Sequence, residues 1–443
     1  MDLAFNYSVM DVVVILIAMV ATFIICSKFL KSTELSMAIT GVVAVLFSFA
    51  HGWTTEPVKL IVEGLFTNFD LAFTFVCAAL FINFYVASGA MAAITRKIVT
   101  GIGNRWIIFI CLAIMMLIPG AVTGAGSVSI FVVGGMVASI LTIMGMSKVK
   151  TTAFLFIFAI LSAAAPPINL WTMLMTAQAN MPYVGFELLL LLPILVVSAF
   201  TIIFLGRGTK QLDKEAVLKT LPEVSDKFQG FGGWVRILLP FVVLIALICI
   251  TLFAPFAMPS LGLPLFFVIC LVVVFFTSPV RFNLKKMYSV TNDTMEQVFS
   301  LVATVLSVGV LQNAMAASGV KGLIGTTFVL LPFVWIYITI LIIGPFSQGC
   351  MSYGSAVVIG TPLIFMFNTA GMNTTVVCAA LSLIFPIGDC LPPSRIVGRI
   401  AVETSGYEGS YSSFLKQIAI PCLLLGIIAV VMLAQPSWFR FLI

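Results

Sequence analysis

Asn83-Phe84-Tyr85-Val86-Ala87-Ser88-Gly89 returns 230 residues on (83 to 313) as Asn313-Ala314-Met315-Ala316-Ala317-Ser318-Gly319, identical at four of seven positions. Two further pairs keep the order and nearly the spacing. Gly126-Ser127 returns as Gly354-Ser355, 228 residues later (126 to 354), and Pro166-Pro167 as Pro392-Pro393, 226 later (166 to 392). Gly, Ala and Ser are common in membrane helices, so each match is weak alone. Three in one order at a near-constant offset read as an internal duplication.

The medium follows from composition. Of 443 residues, 61% are hydrophobic and 9% charged, against about 25% charged in soluble domains. The apolar residues come in blocks near the roughly 20 residues that a membrane helix needs. Full spans are predicted at 9–30, 35–52, 71–92, 151–181 and 183–206, then at 234–254, 260–277, 295–317, 374–402 and 414–435. The net charge of +6 reflects topology, because Lys and Arg gather on the cytoplasmic face; no nucleic-acid partner is expected. The nine cysteines show no metal-type spacing and read as small apolar core residues. Asp2 and Asp11 replace the positive start of a signal peptide, so the first span is expected to be retained.

Two apolar stretches, 106–144 and 334–367, are interrupted halfway by polar, Gly-rich tips. The first tip reads Pro119-Gly120-Ala121-Val122-Thr123-Gly124-Ala125-Gly126-Ser127. The second reads Gly344-Pro345-Phe346-Ser347-Gln348-Gly349-Cys350-Met351-Ser352-Tyr353-Gly354-Ser355. Each stretch could be a pair of full spans joined by a very tight turn, but such tips suit re-entrant hairpins buried in protein. With hairpins, all of the 22 Lys and Arg except Lys59, Lys321 and Arg440 fall on one face, and both termini are extracytoplasmic.

The expected fold is therefore an all-α polytopic membrane protein of two inverted repeats, each with five spans and one re-entrant helical hairpin. Residues 1–206 form the first repeat, with its hairpin at 106–144 and a broken helix at 151–181. Residues 207–233 form a cytoplasmic linker. Residues 234–443 form the second repeat, with its hairpin at 334–367 and a broken helix at 374–402. Inverted repeats with interrupted helices point to a secondary transporter with its site near the midplane.

The chemistry of such a site needs few ionised side chains. A proline pair removes helix donors and frees carbonyls at depth, and carbonyls and hydroxyls can replace the water around Na⁺. The candidate cation ligands are Asn83, Thr123, Gly124, Ser127 and Pro166 in the first half, and Asn313, Ser352, Gly354, Ser355 and Pro392 in the second. Close packing and interhelical hydrogen bonding are the competing roles for all of them. Asp389 and Arg395 flank the second proline pair, and ionisable residues inside a membrane are costly enough to be functional candidates. Arg395 could fork onto a substrate carboxylate, pair with Asp389, or snorkel to the surface. Asn169 and Ser394 complete the candidate substrate set. His51, the single histidine, is expected to have a surface role. No metal cluster, nucleophile–base pair or phosphate loop is legible, so no enzyme and no organic cofactor is expected.

The order of an Ala-Ser-Gly span end, a lateral segment, a Gly/Ser-tipped hairpin and a Pro-Pro break, all repeated, resembles the large membrane subunit of TRAP (tripartite ATP-independent periplasmic) transporters, within the wider ion-transporter superfamily. The resemblance is clearest over 81–177 and 311–403. It implies an elevator-type permease of the bacterial inner membrane, importing an organic anion such as a dicarboxylate or sugar acid with Na⁺. It also implies a separate small four-span membrane subunit and an extracytoplasmic binding protein. The chain departs at Ala125-Gly126-Ser127, where the family has Gly-Ser-Ser, and at Ser394-Arg395, where the family has small residues. The alternatives are a stand-alone carrier of the same superfamily (a citrate- or gluconate-like symporter, or a Na⁺/H⁺ antiporter) and, in another class, a channel.

Overall fold

The computed structural model describes residues 8–50, 52, 56–221, 224–254, 259 and 261–443. His51 and Asp2 lie outside them. The described residues are helical, joined by short turns. The first half runs α1 (Val9–Leu30), α2 (Thr33–Ala50), α3 (Pro57–Thr67), α4 (Phe69–Ala87), α5 (Ala90–Gly101) and α6 (Arg105–Thr123). Then come α7 (Gly126–Ser129), a π-helical turn (Ile130–Gly134), α8 (Gly135–Ile143), α9 (Lys148–Ala164), α10 (Leu170–Gln178) and α11 (Glu187–Gly206). A short helix, α12 (Lys214–Thr220), lies in the polar linker.

The second half repeats this order. It has α13 (Gly230–Phe253), α14 (Gly262–Thr277), α15 (Leu284–Ala317), α16 (Val320–Val329), α17 (Phe333–Met351), a second π-helical turn (Ala356–Gly360) and α18 (Thr361–Thr369). It closes with α19 (Thr374–Ile384), a 3-10 turn (Phe385–Cys390), α20 (Ile396–Ser405) and α21 (Tyr411–Ala434). The duplicated motifs have duplicated geometry. Gly89 and Gly319 both turn the chain at positive φ, +84° and +73°, a conformation glycine adopts without a Cβ penalty. The backbone N–H of Ile168 donates to the Ala121 carbonyl at 3.1 Å, and that of Ser394 donates to the Gly349 carbonyl at 3.2 Å. Each interrupted helix is thus tied to its own hairpin tip by the same bond.

Several span limits move for local reasons. The span read at 71–92 ends at Ala87, because Gly89 breaks the helix, and the apolar run behind it begins at Pro57 with a step at Asn68. The span read at 295–317 begins eleven residues earlier (295 to 284) at Leu284, where the Asn283 side chain caps the Lys286 N–H. The helix read from 234 starts at Gly230. The two long spans divide at their prolines into α9 with α10 and α19 with α20. Among the described residues, ten helical stretches are long and apolar enough to cross a membrane by length and composition. These include α6 and the continuous 126–143 arm, whereas the Ala356–Thr369 arm is too short to count among them.

The helices pack as two bodies. In one, α15 lies along α2, α3 and α4, with α1 against α2 and α14 against α4 and α13. Gly64 and Gly309 let α3 and α15 approach backbone to backbone: a Cβ at Gly64 would stand 2.8 Å from the Val310 Cα. In the other body, α9 is buried from Thr151 to Ala164 and carries α6, α11, α20 and α21 around it. There α17 packs on the 385–390 turn and α19 on α21. Helices α5 and α16 follow the two positive-φ glycines and connect the bodies in the two halves.

Candidate functional site

Both hairpin tips are largely buried, as polar backbone at membrane depth requires. They meet. The Tyr353 hydroxyl in the second tip donates to the Gly124 carbonyl in the first at 3.3 Å. Tyr353 also packs on the Trp171 ring, 4.8 Å between centroids, and Trp171 belongs to α10 of the first half.

At this junction lies a cavity of about 160 Å³. The first tip contributes Ala125, Ser127 and Val128 to its wall, and the second contributes Gln348, Ser352 and Tyr353. Asp389 enters from the interrupted helix, with Val397 and Ile400 of α20. The opposite wall belongs to the other body: Gln297, Ser300 and Thr304 of α15, and Glu34 of α2. Its centre is the Gln348 amide. Gln348 Nε2 donates to Asp389 Oδ1 at 2.9 Å. Its Oε1 accepts from Trp171 Nε1 at 2.8 Å and from Ser355 Oγ at 2.7 Å. Asp389 is only 8% exposed. Across the cavity, Ser32 Oγ donates to Glu34 Oε2 at 2.8 Å and Ser300 Oγ donates to Oε1.

Of the residues singled out in the sequence, Ser127, Ser352 and Asp389 line this cavity. Ser355 and Gly124 reach it through the bonds just given. The others lie elsewhere. Thr123 Oγ1 donates to the Pro119 carbonyl of its own helix at 2.7 Å. Near Pro166, the Ala164 carbonyl accepts from Asn169 Nδ2 at 2.9 Å, and the Pro167 carbonyl accepts from the Tyr183 hydroxyl at 3.1 Å. Asn169 caps α10 at the Thr172 N–H and reaches Ser382 Oγ of the second half at 3.0 Å. Asn83 Nδ2 donates to Thr294 Oγ1 and to Gln297 Oε1, both at 3.0 Å, one residue behind the cavity wall. Asn313 Nδ2 donates to the Leu60 carbonyl at 3.3 Å, within the scaffold contact of α3 and α15. Gly354 packs on Met37, where a Cβ would stand 2.7 Å from its sulfur. Pro392 is exposed and Ser394 half-buried. Arg395 sets its guanidinium 4.8 Å above the Tyr411 ring, and among the described residues no ion pair joins it to Asp389.

Gln348, Tyr353, Trp171, Glu34, Gln297, Ser300 and Thr304 were not among the candidates. A usable signal existed for Gln348, the one amide in an apolar hairpin arm, and for Glu34, a carboxylate at the start of a span. The repeat offsets sharpen the asymmetry. They pair Gln348 with Gly120 (offset 228) and Asp389 with Ala163 (offset 226), so only the second half carries the amide–carboxylate pair. Among the described residues, no group of three His, Cys, Asp or Glu could hold a metal ion.

The two hairpin tips and the second interrupted helix thus meet at one cavity, within a polytopic all-α membrane fold of two repeated units. Solved structures share it at low sequence identity. The Alcanivorax borkumensis YdaH transporter, described as having an unusual topology, aligns over 88% of this chain and 90% of its own with a TM-score of 0.63 and 13% identity. Neisseria gonorrhoeae MtrF, described as illuminating a class of antimetabolite efflux pumps, aligns over 86% of this chain and 84% of its own with a TM-score of 0.58 and 12% identity. At these identities the likeness is one of fold. No protein-family model matches the chain, and no curated protein matches it.

Proposed function

We propose that this protein is a stand-alone, cation-coupled secondary carrier of a small organic solute in the bacterial inner membrane. One observation carries the reading: both hairpin tips and the interrupted helix of the second half converge on one cavity between two separately packed bodies. The α1–α4 and α13–α15 body acts as scaffold. The hairpins and interrupted helices move against it as an elevator, with α5 and α16 as the connecting arms. The halves are 1–206 and 234–443, inverted across the membrane because each makes an odd number of crossings, with 207–233 and the bulk of the Lys and Arg inside and both termini outside. The coupling cation, Na⁺ or H⁺, is held at the tips by Ser127, Ser352 and Ser355.

Similarity in fold to two transporters over 88% and 86% of this chain supports the carrier reading. The motif resemblance over 81–177 and 311–403 supports a second reading, a TRAP-type large subunit that imports an organic anion such as a dicarboxylate with Na⁺. That reading requires a four-span subunit and a binding protein. Purified chain in proteoliposomes separates the two. Saturable solute flux that follows an imposed Na⁺ or proton gradient, with no other protein present, is expected. Flux that appears only with added partner subunits supports the TRAP reading, and non-saturable flux supports a channel.

A further inference from the structure

The acidic character of the cavity was only half visible in the sequence, which singled out Asp389 but not Glu34. The walls include two carboxylates, Glu34 and Asp389, and no Lys, Arg or His side chain. They come from different bodies: Glu34 from the scaffold helix α2, Asp389 from the interrupted helix of the second half. Asp389 is more than nine-tenths buried, and its single hydrogen bond, from Gln348, occupies Oδ1. Among the described residues Oδ2 has no hydrogen-bond partner. Both Glu34 oxygens are held by Ser32 and Ser300, so its charge is fixed in place rather than cancelled. Arg395, which flanks the break, is turned onto Tyr411. Burying a carboxylate without a countercharge is expensive, and a cationic group arriving with the cargo would relieve that cost.

The size and lining of the cavity decide which kind of cation. About 160 Å³ is the space of roughly five water molecules at about 30 Å³ each. That is enough for an ammonium group with a short carbon chain. Much of the wall is apolar or aromatic, through Val128, Phe131, Leu301 and Ile396. That part of the wall suits methylene groups.

Resting on the carrier reading above, we propose that the cavity selects a solute bearing a protonated amino group, which binds between Asp389 Oδ2 and Glu34 while its carbon chain lies on the apolar wall. The amine also draws the two bodies together, because one carboxylate belongs to each.

The test uses matched probes on the full chain in detergent: linear amines from propylamine to hexylamine, the corresponding ω-amino acids, and the N-acetyl derivative of each. Acetylation keeps the skeleton and removes the charge. Thermal stabilisation by the free amines, lost on acetylation, is the expected result. D389N and E34Q should each raise the half-saturating amine concentration at least about tenfold, the loss of one charge-assisted contact. Glu34 is half-buried at a helix start, so E34Q remains informative if D389N fails to fold. Equal stabilisation by amines and their acetylated forms, or by none of them, overturns the proposal, as does full amine response in E34Q. Proteoliposome flux of the same probes is scored separately. Amine binding without gradient-driven flux refutes the carrier reading and leaves the amine site standing; gradient-driven flux of solutes without an amine does the reverse.

Discussion

Gln348 Nε2 donates to Asp389 Oδ1 at 2.9 Å, and the same amide accepts Trp171 Nε1 at 2.8 Å. One side chain therefore joins a hairpin, the interrupted helix of its own half, and α10 of the other half. Gln348→Leu keeps the volume but leaves the carboxylate and the indole N–H unpaired in the interior. Each orphaned group costs about 1–3 kcal/mol, so a loss of at least about 2 kcal/mol in stability is expected, with transport abolished. Gln348→Glu keeps the acceptor for Trp171 and Ser355 but sets a carboxylate against Asp389, and should abolish transport with a smaller loss. Thermal unfolding and proteoliposome flux check both. Wild-type flux in Gln348→Leu would refute the role.

Ser127 and Ser355 bear on coupling. Ser127 lines the cavity and Ser355 donates to Gln348 at 2.7 Å. Ser127→Ala and Ser355→Ala should each raise the half-saturating concentration of the coupling cation by about tenfold, near 1.4 kcal/mol, and Ser127→Thr should restore most of it. Flux titrated against Na⁺ and against pH reads this out. An unchanged cation dependence in both alanine variants removes the tips from the cation site.

Two glycines in one hairpin arm make opposite predictions. A Cβ at Gly126 would stand 2.6 Å from the Ala159 carbonyl oxygen, which is backbone and cannot swing away. Gly126→Ala should cost about 1–3 kcal/mol by overpacking. Gly135 has nothing within 4 Å of the same position. Gly135→Ala should leave stability unchanged or raise it by up to about 1 kcal/mol through helix propensity. The two unfolding temperatures, measured side by side, check the packing of this arm on α9.

Arg395 tests where recognition resides. Its guanidinium lies on the Tyr411 ring, 4.8 Å from the centroid, and its backbone takes φ of +49° just before α20. Arg395→Gln should lower stability by about 1 kcal/mol, the scale of a cation–π contact, and leave KM for the transported solute within about threefold. A KM rise beyond tenfold would place Arg395 on the substrate after all.

Much of the fold was legible because its causes are local. Apolar blocks of span length, glycines that permit positive φ at 89 and 319, and prolines that remove helix donors at 166–167 and 392–393 act through the residues that carry them. Order and offset then revealed the duplication, and the interrupted helices fell where the prolines said. Helix limits were less legible, since an Asn283 cap or the step at Asn68 shifts an end without changing hydropathy.

The site was legible only in part, for a different reason. That polar interruptions exist is a property of the chain; whom they face is a property of the crossings between helices. The carbonyl before the first proline pair meets Asn169, Thr123 turns back on its own helix, and Asn83 and Asn313 tie helices together. Gln348 meets Trp171 across 177 residues of chain, and Glu34 meets Ser300 across 266. Spacing carries no record of such pairs, because helix packing brings them into register. Sequence alone thus established a duplicated, interrupted, membrane-spanning chain. Tertiary packing decided that two carboxylates, rather than an arginine, face the cavity between its two bodies.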